Sequence, residues 1–207
     1  MNAPSFFEDL ERFHHVIAQT VVWDGAGQPL DTEQAMEAAL ALLLHVKDAQ
    51  NAAFVIGSGG SAAIASHVIN DLINACGVRA IALTDPAVLT CMTNDYGYDQ
   101  AYSKLLETHS QKGDVLIAIS SSGGSPAIHN AVRMHRKKGG DCITLSGFSA
   151  ENPLRGLGHL NIWVPGTSFG VVEMGHAWIL HHLTDRLSQL LGRTVQGPLA
   201  LRKEMQH

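Results

Sequence analysis

A chain of 207 residues, 45% of them hydrophobic, is long enough for one domain with a well-buried core. Its formal net charge of −5, from 19 acidic and 14 basic side chains with no long basic run, argues against nucleic-acid binding. No apolar run reaches the roughly 18 residues that span a bilayer, the N-terminus lacks the order of a signal peptide, and Cys76, Cys91 and Cys142 form no paired motif. A soluble cytoplasmic protein is therefore expected.

The first fifty residues read as helices. Phe6, Phe7, Leu10, Phe13 and Val16 recur at helical spacing. Asp31 is placed to cap a second helix, whose apolar side carries Ala35, Ala38, Ala39, Leu42 and Leu43. From residue 52 short apolar runs alternate with helical segments. Strands are expected at 52–56, 79–83, 114–119, 141–145 and 160–164, and helices at 62–75, within 86–108, at 126–138 and over about 170–192. The last helix presents Leu180, Leu183, Leu187, Leu190 and Leu191. This alternation predicts a single α/β domain, a five-stranded parallel sheet flanked by helices. Residues 1–50 supply N-terminal helices and 51–195 the α/β core. Charged residues make up only 16%, so part of the exterior is expected to be covered by another subunit.

Two strand-to-helix turns stand out, Gly57-Ser58-Gly59-Gly60-Ser61 and Ser120-Ser121-Ser122-Gly123-Gly124-Ser125. Glycine lets backbone N–H groups approach an anion, the following helix N-terminus adds partial positive charge, and serine adds hydroxyl donors. Neither turn has the Lys-Ser/Thr of a nucleotide-binding P-loop, and neither fits the GxGxxG fingerprint of dinucleotide sites. A small phosphorylated metabolite suits them better, and no organic cofactor is expected.

With Leu83-Thr84-Asp85, Asn94-Asp95-Tyr96-Gly97-Tyr98, Gly113-Asp114-Val115-Leu116-Ile117 and the final helix, these turns resemble the sugar isomerase (SIS) domain family, and within it the phosphoheptose (sedoheptulose 7-phosphate) isomerases. The resemblance spans nearly the whole chain. It implies that Ser120, Ser121, Ser122 and Ser125 hold a phosphate, and that Ser58, Gly59, Gly60, Asn94 and Asp95 contact the sugar. It further implies a catalytic centre of His67, Asp71, Glu173 and His181, which in some members of the family holds zinc. Glu173 is also a candidate substrate contact. There are departures: Ser58 stands where the family has Asn, Asp71 where it has Glu, and Glu173 where it has Gln. The resemblance also implies a homotetramer built with the N-terminal helices.

Aldose–ketose isomerisation moves a proton between adjacent carbons through an enediol, and Asp71 and His181 suit its base and acid. His67 and Asp71, four apart, share a helix face. Glu173 and His181 are eight apart, about 12 Å along an ideal helix, too far for one ion unless Glu173 precedes the regular helix or a neighbouring subunit supplies a ligand. His176 is a weaker competitor on the same helix, and His182 is expected at the surface or in the core. Two other functions compete with the isomerase. One is a non-catalytic relative that binds a replication initiator or senses phosphosugars, and the other is an isomerase of a specialised sugar pathway.

Overall fold

The computed structural model describes residues 3–193. In chain order the elements are α1 (Phe6–Ala18), β1 (Val21–Asp24), β2 (Pro29–Leu30), α2 (Thr32–Asp48), β3 (Ala53–Gly57), α3 (Gly60–Asn74), β4 (Ala80–Ala82), α4 (Pro86–Tyr96), α5 (Tyr98–His109), β5 (Val115–Ser120), α6 (Pro126–Lys137), β6 (Asp141–Gly147), β7 (Leu160–Val164) and α7 (Phe169–Leu190). The core end expected at residue 195 lies outside the described residues.

The sheet has seven strands, not five, in the order β2–β1–β7–β6–β5–β3–β4. The five expected strands are all present and parallel. The two additional strands come from the segment read as wholly helical. Val21-Val22-Trp23 is a β-branched and aromatic run, and it pairs antiparallel with β7 from Val21↔Trp163 to Asp24↔Leu160. β2 then pairs antiparallel with β1. Residues 1–50 are thus part of the α/β unit and not only helices laid beside it.

Each face of the sheet is covered. On one, α2, α3 and α7 bury Ala39, Leu43, Val68, Leu72, Leu180, Leu183 and Leu187 against Val55, Ile117 and Ile143. On the other, α5 and α6 bury Tyr102, Leu106, Ile128 and Val132 against Phe54, Ile56 and Leu116. The α2 cap is the expected one, since Asp31 accepts from the Gln34 N–H. Its apolar face is rotated from the expected one, with Met36, Leu40 and Val46 buried and Ala38 exposed. Leu190, in the last turn of α7, is also exposed. α1 buries none of its side chains, and Phe6, Phe7 and Leu10 are all at least half exposed.

Sheet order positions the site. From β3 the chain steps outward to β4, then returns to β5 on the other side of β3. The C-terminal ends of β3 and β5 therefore flank the point where strand order reverses, the place where such sheets open a crevice for ligands. Gly57 pairs with Ile119 there, so the two Gly/Ser turns leave the sheet side by side.

Candidate active site

The first turn runs from β3 into α3, and the second from β5 into α6. Neither following helix has a side-chain cap: Gly59 precedes α3, and Ser125, which precedes α6, makes no capping hydrogen bond. α5, which begins within the Asn94–Tyr98 motif, is uncapped as well. By contrast α1, α2, α4 and α7 are capped by Ser5, Asp31, Asp85 and Ser168. The helices that open on the crevice thus keep first-turn N–H groups for a ligand, and an anion there is favoured by the helix dipole.

Of the four expected phosphate contacts, Ser120 and Ser121 are buried, whereas Ser122 is exposed and Ser125 half-buried. Ser121 Oγ is already engaged, 3.2 Å from Ser61 Oγ and 3.3 Å from Glu173 Oε1, to which it donates. Ser122 Oγ accepts from the Gly124 N–H at 3.2 Å. Ser122 and Ser125 are accordingly the hydroxyls free to turn to an anion. In the first turn Ser58 Oγ lies 2.7 Å from the Tyr98 hydroxyl, while Gly59 and Gly60 are open to solvent. Tyr102 donates to the Gly57 carbonyl at 2.9 Å, so two tyrosines of α5 hold this turn. Neither was assigned a role from sequence, and a tyrosine at both ends of one helical turn was the signal available. Asn94 and Asp95 are exposed on the last turn of α4 and bond to each other at 3.0 Å. Among the described residues no hydrogen bond joins them to either turn.

Asp71, His67 and His181 converge elsewhere on α3 and α7. Asp71 Oδ2 is 3.3 Å from His181 Nδ1 and 3.5 Å from His67 Nε2, and the two imidazoles meet edge to face with centroids 4.9 Å apart. Asp71 is about one-fifth exposed, the histidines about half. The three side chains offer ligand atoms that all lie within 4.8 Å of one another. Asp71 Oδ2 is shielded from solvent and has no hydrogen-bond partner, because neither ring is aligned to donate to it. A buried anionic oxygen left so between two imidazole nitrogens is a position that a cation satisfies.

Glu173 is not in this cluster. Its carboxylate sits over the start of α3, where a Cβ on Gly60 would lie within 2.5 Å of Oε1, and it bonds Ser121. The eight-residue spacing on α7 accounts for this: Glu173 joins the turns and His181 joins the cluster. His176, between them, is fully buried and bonds the Ser146 carbonyl through Nε2 at 3.0 Å; burial pushes its pKa down to about 4. His182 lines a shallow cavity with Trp178, Met36 and Ile17 on the α1–α2 side.

The sequence model of the SIS domain matches residues 30–147, more than half of the chain. The chain belongs to the SIS domain family. It is 34% identical over 163 residues to a protein of Citrifermentans bemidjiense named phosphoheptose isomerase, covering 76% of this chain and 84% of that one. Among solved structures it resembles a phosphoheptose isomerase from Francisella tularensis, with TM-score 0.77 and 25% identity over 89% of this chain and 95% of that one. The enzyme of the same name from Neisseria gonorrhoeae superposes with TM-score 0.74 and 26% identity, over 87% and 94% of the two chains. Membership of the SIS family accounts for the parallel sheet and both Gly/Ser turns. Within the SIS domain, no described helix is long and apolar enough to cross a membrane.

Proposed function

We propose that this SIS-domain protein is an aldose–ketose isomerase of a phosphorylated sugar, with sedoheptulose 7-phosphate as its substrate. The observation that carries the proposal is an acid–base group, Asp71 between His67 and His181, built on α3, whose N-terminus opens on the Gly/Ser crevice, and on α7, whose Glu173 reaches the same turns. The relatives named phosphoheptose isomerase supply the substrate class.

The phosphate is held by Ser122, Ser125 and the uncapped N–H groups after Pro126 in the first turn of α6, whose partial positive charge stabilises it without lysine. Asp71 takes the proton from the carbon beside the carbonyl. His181 supplies a proton to the carbonyl oxygen, giving the enediol, and the same two groups return protons in the reverse sense to give the isomer. Gly60 and Asp71 are separated by about 16 Å of helix, more than an extended seven-carbon phosphate spans. The acid–base group of one protomer therefore works on a sugar whose phosphate is seated on another, in a homotetramer. The uncovered apolar residues of α1 and the exposed Phe169, Met174 and Trp178 of α7 support such an assembly. It operates in the cytoplasm.

His67, Asp71 and His181 fit a divalent metal, zinc foremost, and the orphaned Asp71 Oδ2 is the reason. Bound there it supplies Lewis-acid stabilisation of a developing oxyanion. Proton NMR in D2O with sedoheptulose 7-phosphate tests the function: conversion with solvent deuterium entering beside the carbonyl is expected. Phosphate binding with neither conversion nor exchange for any of a panel of phosphosugars would make the protein a non-catalytic binder. Elemental analysis after tag-free purification tests the metal, and light scattering the tetramer.

A further inference from the structure

The carbonyl of Gly123 lies in the middle of the Ser120–Ser125 turn and points away from the crevice. It accepts two hydrogen bonds from inside the protein, from His129 Nε2 at 2.7 Å and from the Leu154 N–H at 3.1 Å. His129 is in the first turns of α6 and only 8% exposed. Gly123 has φ +62, and a Cβ there would overlap the side chain of Asn152, so the turn is pressed against the segment after β6. A carbonyl oxygen only accepts, so Nε2 must carry the hydrogen.

A trans peptide is planar, with its carbonyl and the following N–H on opposite sides. Holding the Gly123 oxygen inward therefore turns the Gly124 N–H outward, toward the exposed mouth where it meets Ser122 Oγ. The backbone of a Gly-Gly pair has no preference of its own for this arrangement, because glycine populates left- and right-handed conformations about equally. Something outside the pair must set the peptide plane, and the buried imidazole provides the shorter of the two bonds that do.

We infer that His129 is a positioning residue for anion binding: through the Gly123 carbonyl it aims the Gly124 N–H, and with it the Ser122 hydroxyl, at the phosphate of the substrate. The inference rests on the reading that this turn holds the phosphate. It touches neither the sugar nor the acid–base group, so its effect is confined to binding.

The test compares His129→Leu with His129→Gln, whose amide nitrogen reaches the place of Nε2. Inorganic phosphate is titrated by calorimetry, and KM and kcat are measured with sedoheptulose 7-phosphate. His129→Leu is expected to weaken phosphate and raise KM roughly five- to tenfold, the size of one hydrogen bond, with kcat within about twofold of the parent. His129→Gln is expected to restore both. Parent-like affinity in His129→Leu, or a loss that His129→Gln does not recover, overturns the inference. The Ser122→Ala/Ser125→Ala variant separates the two levels. If its phosphate affinity is unchanged, the turn itself is misread; if it weakens while His129→Leu does not, only the role of His129 fails. Should the leucine variant not fold, nitrogen-15 NMR of the unaltered protein decides: Nε2 protonated and a Gly124 amide that shifts with phosphate are expected, and a proton on Nδ1 alone or a Gly124 amide that does not shift refutes it.

Discussion

The Gly/Ser crevice and the His67–Asp71–His181 cluster share α3 and α7, yet they are built by different means. The crevice is made of backbone. Its geometry follows from two adjacent parallel strands that end in register, and its donors are N–H groups and hydroxyls with almost no formal charge. The cluster is made of side chains. It exists only because α3 and α7, whose cluster residues are over a hundred positions apart in the chain, pack with Asp71 facing His181. A site of the first kind recognises a group that nearly all sugar phosphates share. One of the second kind is suited to acid–base chemistry, and it is exposed to a change in a single side chain.

Substitution within the cluster should separate the two regions most sharply. Asp71→Asn keeps the shape and removes the proposed base. Turnover is expected to fall roughly a thousandfold, while inorganic phosphate affinity and circular dichroism stay at parent values. Loss of phosphate binding in parallel would mean that the regions are not independent. The converse variant, Ser122→Ala with Ser125→Ala, removes two hydrogen bonds to a charged group, each contributing about 1.5–3 kcal/mol. Phosphate and substrate affinity are expected to drop at least a hundredfold by calorimetry, with the metal stoichiometry found by elemental analysis equal to that of the parent.

How far each region could be read from sequence follows the same division. The turns are runs of consecutive residues behind continuous apolar strands, so both were legible, as were all five parallel strands. His67 and Asp71 were legible as an i,i+4 pair. The meeting of Asp71 with His181 is tertiary and was reached only through resemblance, and the same is true of any role for Glu173. The partners that brace the turns lie between 6 and 45 residues away, as with His129 on Gly123 and Tyr102 on Gly57, so nothing within the turns themselves announces them. β1 was hidden for another reason. Four residues between two amphipathic helices carry too little periodicity to stand out, although Val-Val-Trp has strong strand propensity.

α7 ties the regions together, and His176 anchors its middle. Burial holds this histidine neutral in the fold, with pKa about 4, against about 6.5 when unfolded. Between those values the unfolded chain binds the extra proton, so stability is full above pH 6.5 and falls as the pH drops toward 4. His135, on the buried face of α6 and also lowered by desolvation, acts in the same direction. Urea unfolding should show a loss on the order of 2 kcal/mol from pH 7 to pH 4.5 attributable to His176. His176→Gln, which cannot take up that proton, should flatten the slope by this amount, and an unchanged slope would show that the residue does not control acid sensitivity.

The smallest effect concerns Glu173, the residue that the family resemblance assigned to both regions. Its carboxylate lies beside Ser121 and over the N-terminus of α3, which favours the anion at that position. A phosphate arriving in the same crevice is also an anion, so Glu173 opposes it through mostly solvated space, where each charge pair is worth on the order of 1 kcal/mol. Glu173→Gln keeps the side-chain shape and an oxygen for Ser121 while removing the charge. Inorganic phosphate should therefore bind about threefold more tightly to the variant at low ionic strength, and the gain should shrink at 0.5 M salt as screening shortens the reach of the charge. Metal stoichiometry should not change, because His67, Asp71 and His181 gather without Glu173. A fall in bound metal would instead place Glu173 of a neighbouring copy among the ligands. The same purified variant thus reports on both sides of the comparison, one through the salt dependence of phosphate binding and the other through metal content.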